Sequence, residues 1–197
     1  MPPPCRNHAA SLPQISLKIL LSVGIALSLA VIAFAQTTPP ASDPLASPDG
    51  SKTLSETHQN GGTQLWIENA RTHQRQMLLD TASMVSAQWN ADGSAFYVEL
   101  GSPEEALSYI YDSATLERLD VRGRILAVDS GAQRFAAGHA YFHMDSWQDM
   151  KQTIVVFHGH TDEPPALCFE FRYRVSRSGS VSKVSQQTSK DTSSPFC

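Results

Sequence analysis

Four histidines in the second half of the chain have the side-chain type and spacing that fit metal chemistry. They are His139, His143, His158 and His160, and three acids, Asp145, Asp162 and Glu163, are close to them in the sequence. His158 and His160 follow an apolar run at 154–157. Because residues i and i+2 of a strand share one face, such a pair can bind one metal ion. A polar turn with exposed histidines is the alternative, and the sequence favours it.

The run 158–163 reads His-Gly-His-Thr-Asp-Glu, which is similar to the His-x-His-x-Asp-His motif of metallo-β-lactamase-type hydrolases. Glu163 stands where that motif has its last histidine, and 34 residues follow, fewer than that fold needs. We therefore assign no metal-binding residue. A metal-dependent or carbohydrate-active enzyme that uses His158 and His160 is kept as an alternative function.

Other catalytic or cofactor-binding signatures are absent from the sequence. It has no Gly-x-Ser-x-Gly elbow, no phosphate-binding loop and no dinucleotide fingerprint. Asp49 and Asp92 precede glycines, where an aspartate side chain bonds its own backbone two residues on, so we expect a structural role. Trp66, Trp89 and Trp147 are all typical of a packed blade core, and Trp147, after a polar Asp-Ser pair, is the best candidate for an exception that serves as a ligand platform.

Cys168 and Cys197 are the cysteines that remain if the N-terminal leader is removed. Outside the reducing cytoplasm such a pair can oxidise. Closing a loop of about 30 residues stabilises a fold by roughly 3–4 kcal/mol in the chain-entropy model. We expect this disulfide, with free thiols as the alternative because Cys197 is the last residue of the sequence.

The elements that must position these residues are short strands. Apolar residues alternate with polar ones before and after the tight-turn signal Asp92-Gly93, which predicts a hairpin. The candidate strands are 52–56, 64–69, 75–80, 84–90, 94–100, 107–112, 117–121, 125–128, part of 134–143, 153–157 and 167–175.

A repeat of 43 residues organises the first half of this strand pattern. Asp49-Gly50-Ser51 aligns with Asp92-Gly93-Ser94, and without a gap Trp66-Ile67-Glu68-Asn69 then aligns with Tyr109-Ile110-Tyr111-Asp112. A degenerate third copy is predicted at 129–135, where Phe135 would stand in the place of Phe96. Short strands at a period of about 40 residues are typical of propeller blades.

The segment Ser-Pro-Asp-Gly-Ser at 47–51, with the strand ends Asn69-Ala70 and Asp112-Ser113, resembles the WD40-like repeat of the TolB family. The resemblance is clear over about 44–120 and weaker to about 160. It implies an extracytoplasmic bacterial β-propeller but not a particular function, because many unrelated proteins use such blades.

The predicted fold class is therefore all-β, with antiparallel four-stranded blade repeats in a partial or open β-propeller; a twisted β-sandwich is the alternative. The predicted strands fill about three blades, whereas a closed propeller needs at least four. An open stack is expected to leave strand edges and one apolar face uncovered, so we expect self-association, a completing partner, a sandwich or a truncated remnant.

The chain divides into four predicted segments. Residues 1–35 read as a signal peptide with cleavage before Gln36, and an uncleaved membrane anchor is the alternative. Residues 36–48 form a Pro/Thr/Ser linker, 49–175 the β-propeller-like repeat domain, and 176–197 a Ser-rich disordered tail. One last short strand with Val181 and Val184 is the alternative for part of this tail.

Charge narrows the choice of partners. Residues 36–197 carry 13 basic and 19 acidic residues, a net charge of −6, without a Lys/Arg cluster. Nucleic acid and, after leader cleavage, membrane are therefore not expected as partners. We expect a secreted or periplasmic, non-catalytic module that needs no cofactor and binds a protein or peptide, or itself through an open blade edge. A structural or remnant domain is the further alternative.

Overall fold

The computed structural model describes residues 43–101, 106–162 and 164–190. They form twelve strands and two short helices. In chain order these are β1 (Leu45–Ala46), β2 (Lys52–Gln59), β3 (Gly62–Asn69), β4 (Arg75–Thr81), β5 (Met84–Trp89), β6 (Ala95–Gly101), β7 (Ala106–Asp112), β8 (Arg118–Asp120), α1 (Val121–Val128), α2 (Ser130–Gln133), β9 (His139–Trp147), β10 (Gln152–His160), β11 (Cys168–Ser176) and β12 (Val181–Ser189).

These strands build three antiparallel four-stranded blades, which we number in chain order. Blade 1 is β1 to β4, blade 2 is β5 to β8 and blade 3 is β9 to β12. One parallel residue pair, Ala106 with Tyr141, joins β7 to β9, so blades 2 and 3 form one continuous eight-stranded sheet. The predicted all-β fold of open, four-stranded blade repeats is confirmed.

Two turns in each of the first two blades occupy equivalent places and account for the repeat of 43 residues. Between the first two strands, Asp49 accepts the Ser51 N–H at 3.1 Å, and Asp92 accepts the Ser94 N–H at 2.9 Å. After the third strand, the side chains of Asn69 and Asp112 each accept two backbone N–H groups. These side chains close the turns locally, as short polar side chains do.

The third repeat lies later than predicted. Residues 125–128 are the end of α1, not a strand, and Phe135 follows α2 instead of occupying the place of Phe96. The equivalent turn is at Asp149, which accepts the N–H groups of Lys151 and Gln152 at 2.6 and 2.7 Å. Asp92 and Asp149 are thus 57 residues apart, because a segment that contains both helices, residues 121–138, precedes β9. We call this segment the insert.

The predicted disordered tail is wrong over residues 181–189. This segment is β12 and pairs with β11 along its length, although most of its side chains are exposed. Backbone pairing to a well-ordered neighbour therefore holds this strand, and burial contributes little. The signal peptide at 1–35, most of the linker, Glu163 and residues 191–197, which include Cys197, lie outside the described residues. The end of the predicted linker is wrong, because Leu45–Ala46 is strand β1 and pairs with β2. Cys168 is buried and disulfide-bonded.

Two buried clusters hold the blades together. The cluster between blades 1 and 2 contains Leu54, Leu65, Ile67, Leu79, Trp89, Phe96, Val98 and Tyr111. The larger cluster joins blade 2, the insert and blade 3, and its aromatic members are Tyr97, Phe135, Phe142, Phe157, Phe169, Phe171 and Tyr173. Each blade interface therefore has a largely apolar core, the kind of packing that repeat architectures require.

The two end faces of this stack are largely polar where they are exposed. On blade 1, Trp66 donates to the Thr57 hydroxyl at 3.1 Å and is covered by the Arg75 guanidinium at 4.6 Å from its ring centre. On blade 3, histidines and charged residues occupy the end face. Met77, which is opposite Trp66, is an exposed apolar side chain on the end face of blade 1. Polar outer faces are the usual way in which a repeat stack ends in water.

Among residues 43–101, 106–162 and 164–190, no helix is long and apolar enough to span a bilayer.

Candidate functional site

The four histidines lie on the end face of blade 3, on the neighbouring strands β9 and β10. In the antiparallel register, His139 is opposite His160, Tyr141 is opposite His158, and His143 is opposite Val156. The structure therefore brings the sequence-predicted histidines together on one face of one sheet. The strand alternation fixes this arrangement, since positions 139, 141 and 143 of β9, which precede the β-bulge, and the even positions of β10 point away from the aromatic core.

The histidine rings form two separate pairs. His139 and His160 lie 4.7 Å apart between ring centres, and His143 and His158 lie 5.0 Å apart, edge to face. Burial lowers the pKa of His158, the neighbouring His143 lowers it further, and Glu170 opposes both effects. His158 is thus biased towards its neutral form by the same packing that pairs it with His143.

His158 and His160 do not share a ligand-binding arrangement. Each contacts a different imidazole on β9, and Asp162 lies 3.9 Å from His139 instead. No three His, Cys, Asp or Glu side chains in the described part of the chain are placed to hold a metal ion. On the same face, Arg172 bonds Glu170 at 3.0 Å and lies 3.8 Å from Asp145, so charged neighbours partner one another.

The two turn aspartates have the structural role expected of them. Hydrogen bonds from the side chains of Ser47 and Ser51 lower the pKa of Asp49 to about 2. Hydrogen bonds from the Ser94 hydroxyl and N–H lower the pKa of Asp92. A carboxylate that accepts several local donors is held in its ionised form and stabilises its turn.

The tryptophans occupy three environments. Trp89 is 7% exposed and belongs to the core between blades 1 and 2. Trp66 lies half-buried on the end face of blade 1. Trp147, the candidate exception, packs against Tyr97 with ring centres 6.0 Å apart and donates its N–H to the Gln88 carbonyl. It therefore contributes to the junction of blades 2 and 3.

A cleft at one end of blade 3 is built from the two segments that break the repeat. Only two residues connect β4 to β5, whereas 18 residues, the insert 121–138, connect β8 to β9. Likewise two residues connect β2 to β3, but seven, 161–167, connect β10 to β11. The insert and this longer loop meet and enclose about 560 Å³, which we call the insert cleft. Insertions in repeat proteins map to loops on one face, often the binding face.

The lining of the insert cleft combines apolar and cationic groups. Its residues are Arg134, Phe135, Ala137 and Gly138 from the insert, Thr161, Asp162, Pro164, Pro165 and Leu167 from the loop, and Lys190 after β12. Arg134 lies 4.5 Å from the centre of the Phe135 ring, and that ring is almost fully buried. The cleft thus has an anchored guanidinium beside an apolar wall.

The walls of the insert cleft are fixed by backbone contacts. The Thr161 N–H donates to the Leu167 carbonyl at 3.0 Å, and the Leu167 N–H donates to the Thr161 hydroxyl at 2.9 Å, which closes the loop on itself. A Cβ at Gly138 would lie 2.6 Å from the His160 carbonyl oxygen, so only glycine permits this approach of the insert to β10. The cleft is therefore preformed.

The insert is also tied to the strands of blade 3. Asp129, between α1 and α2, accepts the Tyr173 hydroxyl at 2.7 Å and lies 2.6 Å from Lys183. Partial burial raises the pKa of Asp129, but the hydrogen bonds from Lys183 and Tyr173 outweigh it, and the net pKa is lowered. Burial, together with the bond to Asp129, raises the pKa of Tyr173.

Two further clefts lie between neighbouring blades and are equivalent by the repeat. Cleft 1–2 encloses about 530 Å³ and cleft 2–3 about 730 Å³. The five shared positions are Ile67, Asn69, Gln74, Arg75 and Gln76 in the first, and Ile110, Asp112, Glu117, Arg118 and Leu119 in the second, each pair 43 residues apart. Because they recur with the blade, these clefts follow from how blades pack, whereas the insert cleft occurs once in the described residues.

The sequence did not identify the residues of the insert cleft, apart from Asp162, which it grouped with the histidines. The available signals were the wider spacing from Asp92 to Asp149 and the Pro164-Pro165 pair that interrupts the strand pattern. These two signals can be interpreted only once the turn at Asp149 is known to be the third turn of the repeat.

Comparison with protein-family models and with curated proteins finds no match. Among solved structures, the chain is similar to the β-propeller domain of the trilobed protease from Pyrococcus furiosus, which has an open velcro topology. The TM-score is 0.50 at 18% identity, over 74% of this chain and 43% of that chain. A putative TolB from Agrobacterium tumefaciens matches with TM-score 0.43 and 10% identity, over 76% and 50%.

An acylaminoacyl peptidase from Pyrococcus horikoshii matches with TM-score 0.45 and 15% identity, over 74% of this chain and 25% of that chain. The chain thus spans half or less of the length of these structures. At such identities the likeness shows the fold alone, and the fold is that of a partial β-propeller.

Proposed function

We propose that the chain is an extracytoplasmic, non-catalytic β-propeller-like module that binds a protein or peptide segment in the insert cleft. The observation that carries this proposal is the meeting of the two repeat-breaking segments, the insert 121–138 and the loop 161–167, around one preformed cleft. A blade needs neither segment for its own sheet, so we infer that they serve recognition. Binding residues in rigid β scaffolds are concentrated in such loops.

The chemistry of the cleft suits a polypeptide segment. Apolar side chains such as Pro164 and Leu167 offer a surface for a side chain of the partner, and polar groups stand at its edge. Clefts of about 300–1,000 Å³ with an apolar lining and a few polar groups are typical binding sites. No nucleophile motif is present in the sequence, which is why the proposed role is binding.

An extracytoplasmic location is supported by two features. The charged and apolar pattern of residues 1–35 is that of a signal peptide. Cys168 is disulfide-bonded, and disulfides persist in oxidising compartments. Fractionation of cells that express the full chain, followed by N-terminal sequencing, is expected to find a periplasmic or secreted protein that begins at Gln36. A cytoplasmic protein with an intact N-terminus would contradict this part of the proposal.

The binding role is tested by comparing captured partners of three forms of the full chain. The double variant Arg134→Glu, Lys190→Glu reverses both cleft cations, and the matched control Arg71→Glu makes the same type of change on a turn of blade 1. We expect the unmodified chain and the control to retain a common partner from a periplasmic extract, and the cleft variant to lose it. Equal retention by all three would place binding elsewhere.

Two competing functions have distinct outcomes in the same experiments. Light scattering that shows a defined oligomer, together with no heterologous partner, would favour self-association through the edge strand β12. Hydrolytic activity that is lost with a chelator and in the double variant His158→Ala, His160→Ala would favour the enzyme. If none of these results is obtained, the structural or remnant domain becomes the better description.

A further inference from the structure

We propose that the insert cleft binds the C-terminal residue of a polypeptide, with its carboxylate at Arg134 and Lys190 and its apolar side chain against Pro164, Pro165 and Leu167. This inference rests on the proposed function and specifies its ligand. It follows from the charges of the cleft, from their position beside an apolar wall and from the rigidity of both walls.

The cations of the cleft are available to an anion. Within the described residues, neither Arg134 nor Lys190 forms an ion pair, and both side chains are exposed. The one carboxylate described in the lining, that of Asp162, lies 3.9 Å from the His139 ring. The guanidinium of Arg134 is steadied over the Phe135 ring. A planar guanidinium is suited to bind a carboxylate through two parallel hydrogen bonds.

The apolar side chains of Pro164, Pro165 and Leu167 line the same cleft as the two cations. A terminal carboxylate and the side chain of the same residue branch from one carbon atom, so an anion and an apolar group arrive together. An internal acidic residue would instead bring its carboxylate on a side chain, with the backbone leaving the cleft on both sides. The compact pairing of charge and apolar surface therefore fits a chain end better than an internal segment.

The rigidity of the walls favours a small ligand. The loop 161–167 is closed by its two Thr161–Leu167 hydrogen bonds, and Gly138 fixes the insert against β10. A preformed site spends little binding free energy on ordering itself, so even a single residue with a carboxylate can bind measurably.

Calorimetric titration of the full chain with three synthetic peptides at neutral pH tests the proposal. The peptides are acetyl-Ser-Ala-Leu with a free carboxylate, the same peptide as a C-terminal amide, and acetyl-Ser-Ala-Asp amide, which keeps the negative charge on a side chain. We expect the free acid to bind about tenfold more tightly than either amide, because a hydrogen-bonded ion contact is lost in each. Excess acetate at constant ionic strength is expected to leave most of that binding in place.

Variants locate the site. Arg134→Gln and Lys190→Gln are each expected to weaken binding of the free acid about tenfold, and Arg71→Gln, the matched charge removal on blade 1, to leave it unchanged. Equal binding of acid and amide, or full competition by acetate, would overturn the assignment of a chain terminus. If no peptide binds while partner capture still depends on the cleft, this inference fails and the proposed function stands. If capture is also independent of the cleft, both fail.

Discussion

Trp89 donates its indole N–H to the carbonyl oxygen of Leu45 at 3.1 Å, joining the first strands of blades 1 and 2. The same contact recurs one blade later, where Trp147 donates to the carbonyl of Gln88 at 3.4 Å. Leu45 and Gln88 are 43 residues apart and therefore equivalent in the repeat. A tryptophan at the end of each new first strand thus fastens that strand to the preceding blade.

This relationship predicts that Trp89 is a main support of the interface between blades 1 and 2. Trp89→Ala is expected to lower the free energy of unfolding by about 3–5 kcal/mol, and Trp89→Phe, which removes the N–H donor, by about 1 kcal/mol or more. Urea unfolding of the full chain measures both. Trp66→Phe is the control, because Trp66 also donates a hydrogen bond but lies on an end face; an equal loss there would contradict the assignment.

Gly159 is predicted to be indispensable for the pairing of β9 with β10. Its φ is +149°, and a Cβ at this position would lie 1.8 Å from the His139 carbonyl oxygen. Gly159→Ala is therefore expected to cost at least about 2 kcal/mol, since one of the strands must move. Gly101→Ala is the matched control, because no atom of the described residues lies within 4 Å of its added Cβ. An equal shift of the unfolding temperature in the two variants would contradict this prediction. It would show that position 159 and the His139 carbonyl are farther apart in solution.

Asp49 is predicted to make stability depend on acid pH. Its folded-state pKa of about 2 is below the ordinary value of 3.8, so its contribution is present above pH 3.8 and is lost as pH falls through 2. Asp49→Ala should therefore be less stable than the unmodified chain at neutral pH, and this difference should narrow across that window. Denaturant unfolding at a series of pH values measures it. A difference between the two proteins that stays constant down to pH 2 would contradict this role of Asp49.

The contact between Tyr173 and Asp129 is predicted to hold the insert on blade 3. Tyr173→Phe removes a hydrogen bond to a carboxylate and is expected to cost about 1.5–3 kcal/mol. In this variant, we expect amide hydrogen exchange to accelerate more in residues 121–138 than in β10. Lys183→Met removes a second side-chain partner of Asp129 and should cost less than about 1 kcal/mol, because that ion pair is partly exposed. Uniform acceleration throughout the domain would indicate a general loss of stability instead.

The disulfide between Cys168 and Cys197, which we expect from the sequence, stays a prediction. Cys168 is disulfide-bonded, and Cys197 lies outside the described residues. Peptide mapping of the secreted protein without reductant is expected to recover Cys168 linked to Cys197. A link to Cys5, or a free thiol at Cys168, would contradict it.

The sequence by itself determined seven of the eight strands of the first two blades, β2 to β8, and the turns between them, whereas β1 lies in the predicted linker. Alternation of apolar and polar residues and the Asp-Gly pairs at 49 and 92 are local signals, because a strand buries one face and a tight turn needs particular residues. The repeat of 43 residues followed from the same signals. It also placed the four histidines near one another, since they fall on two strands that are consecutive in the chain.

Tertiary structure decided the remainder. Residues 125–128 form the end of a helix although their apolar run reads as a strand, because α1 begins at the Asp120 cap and buries Val121 and Ile125 against the core. Strand β12 carries almost no apolar signal and exists because β11 offers it a backbone partner. The insert cleft joins Arg134, Leu167 and Lys190 across long stretches of sequence. No local pattern records such a meeting, since it depends on where the third blade places its loops.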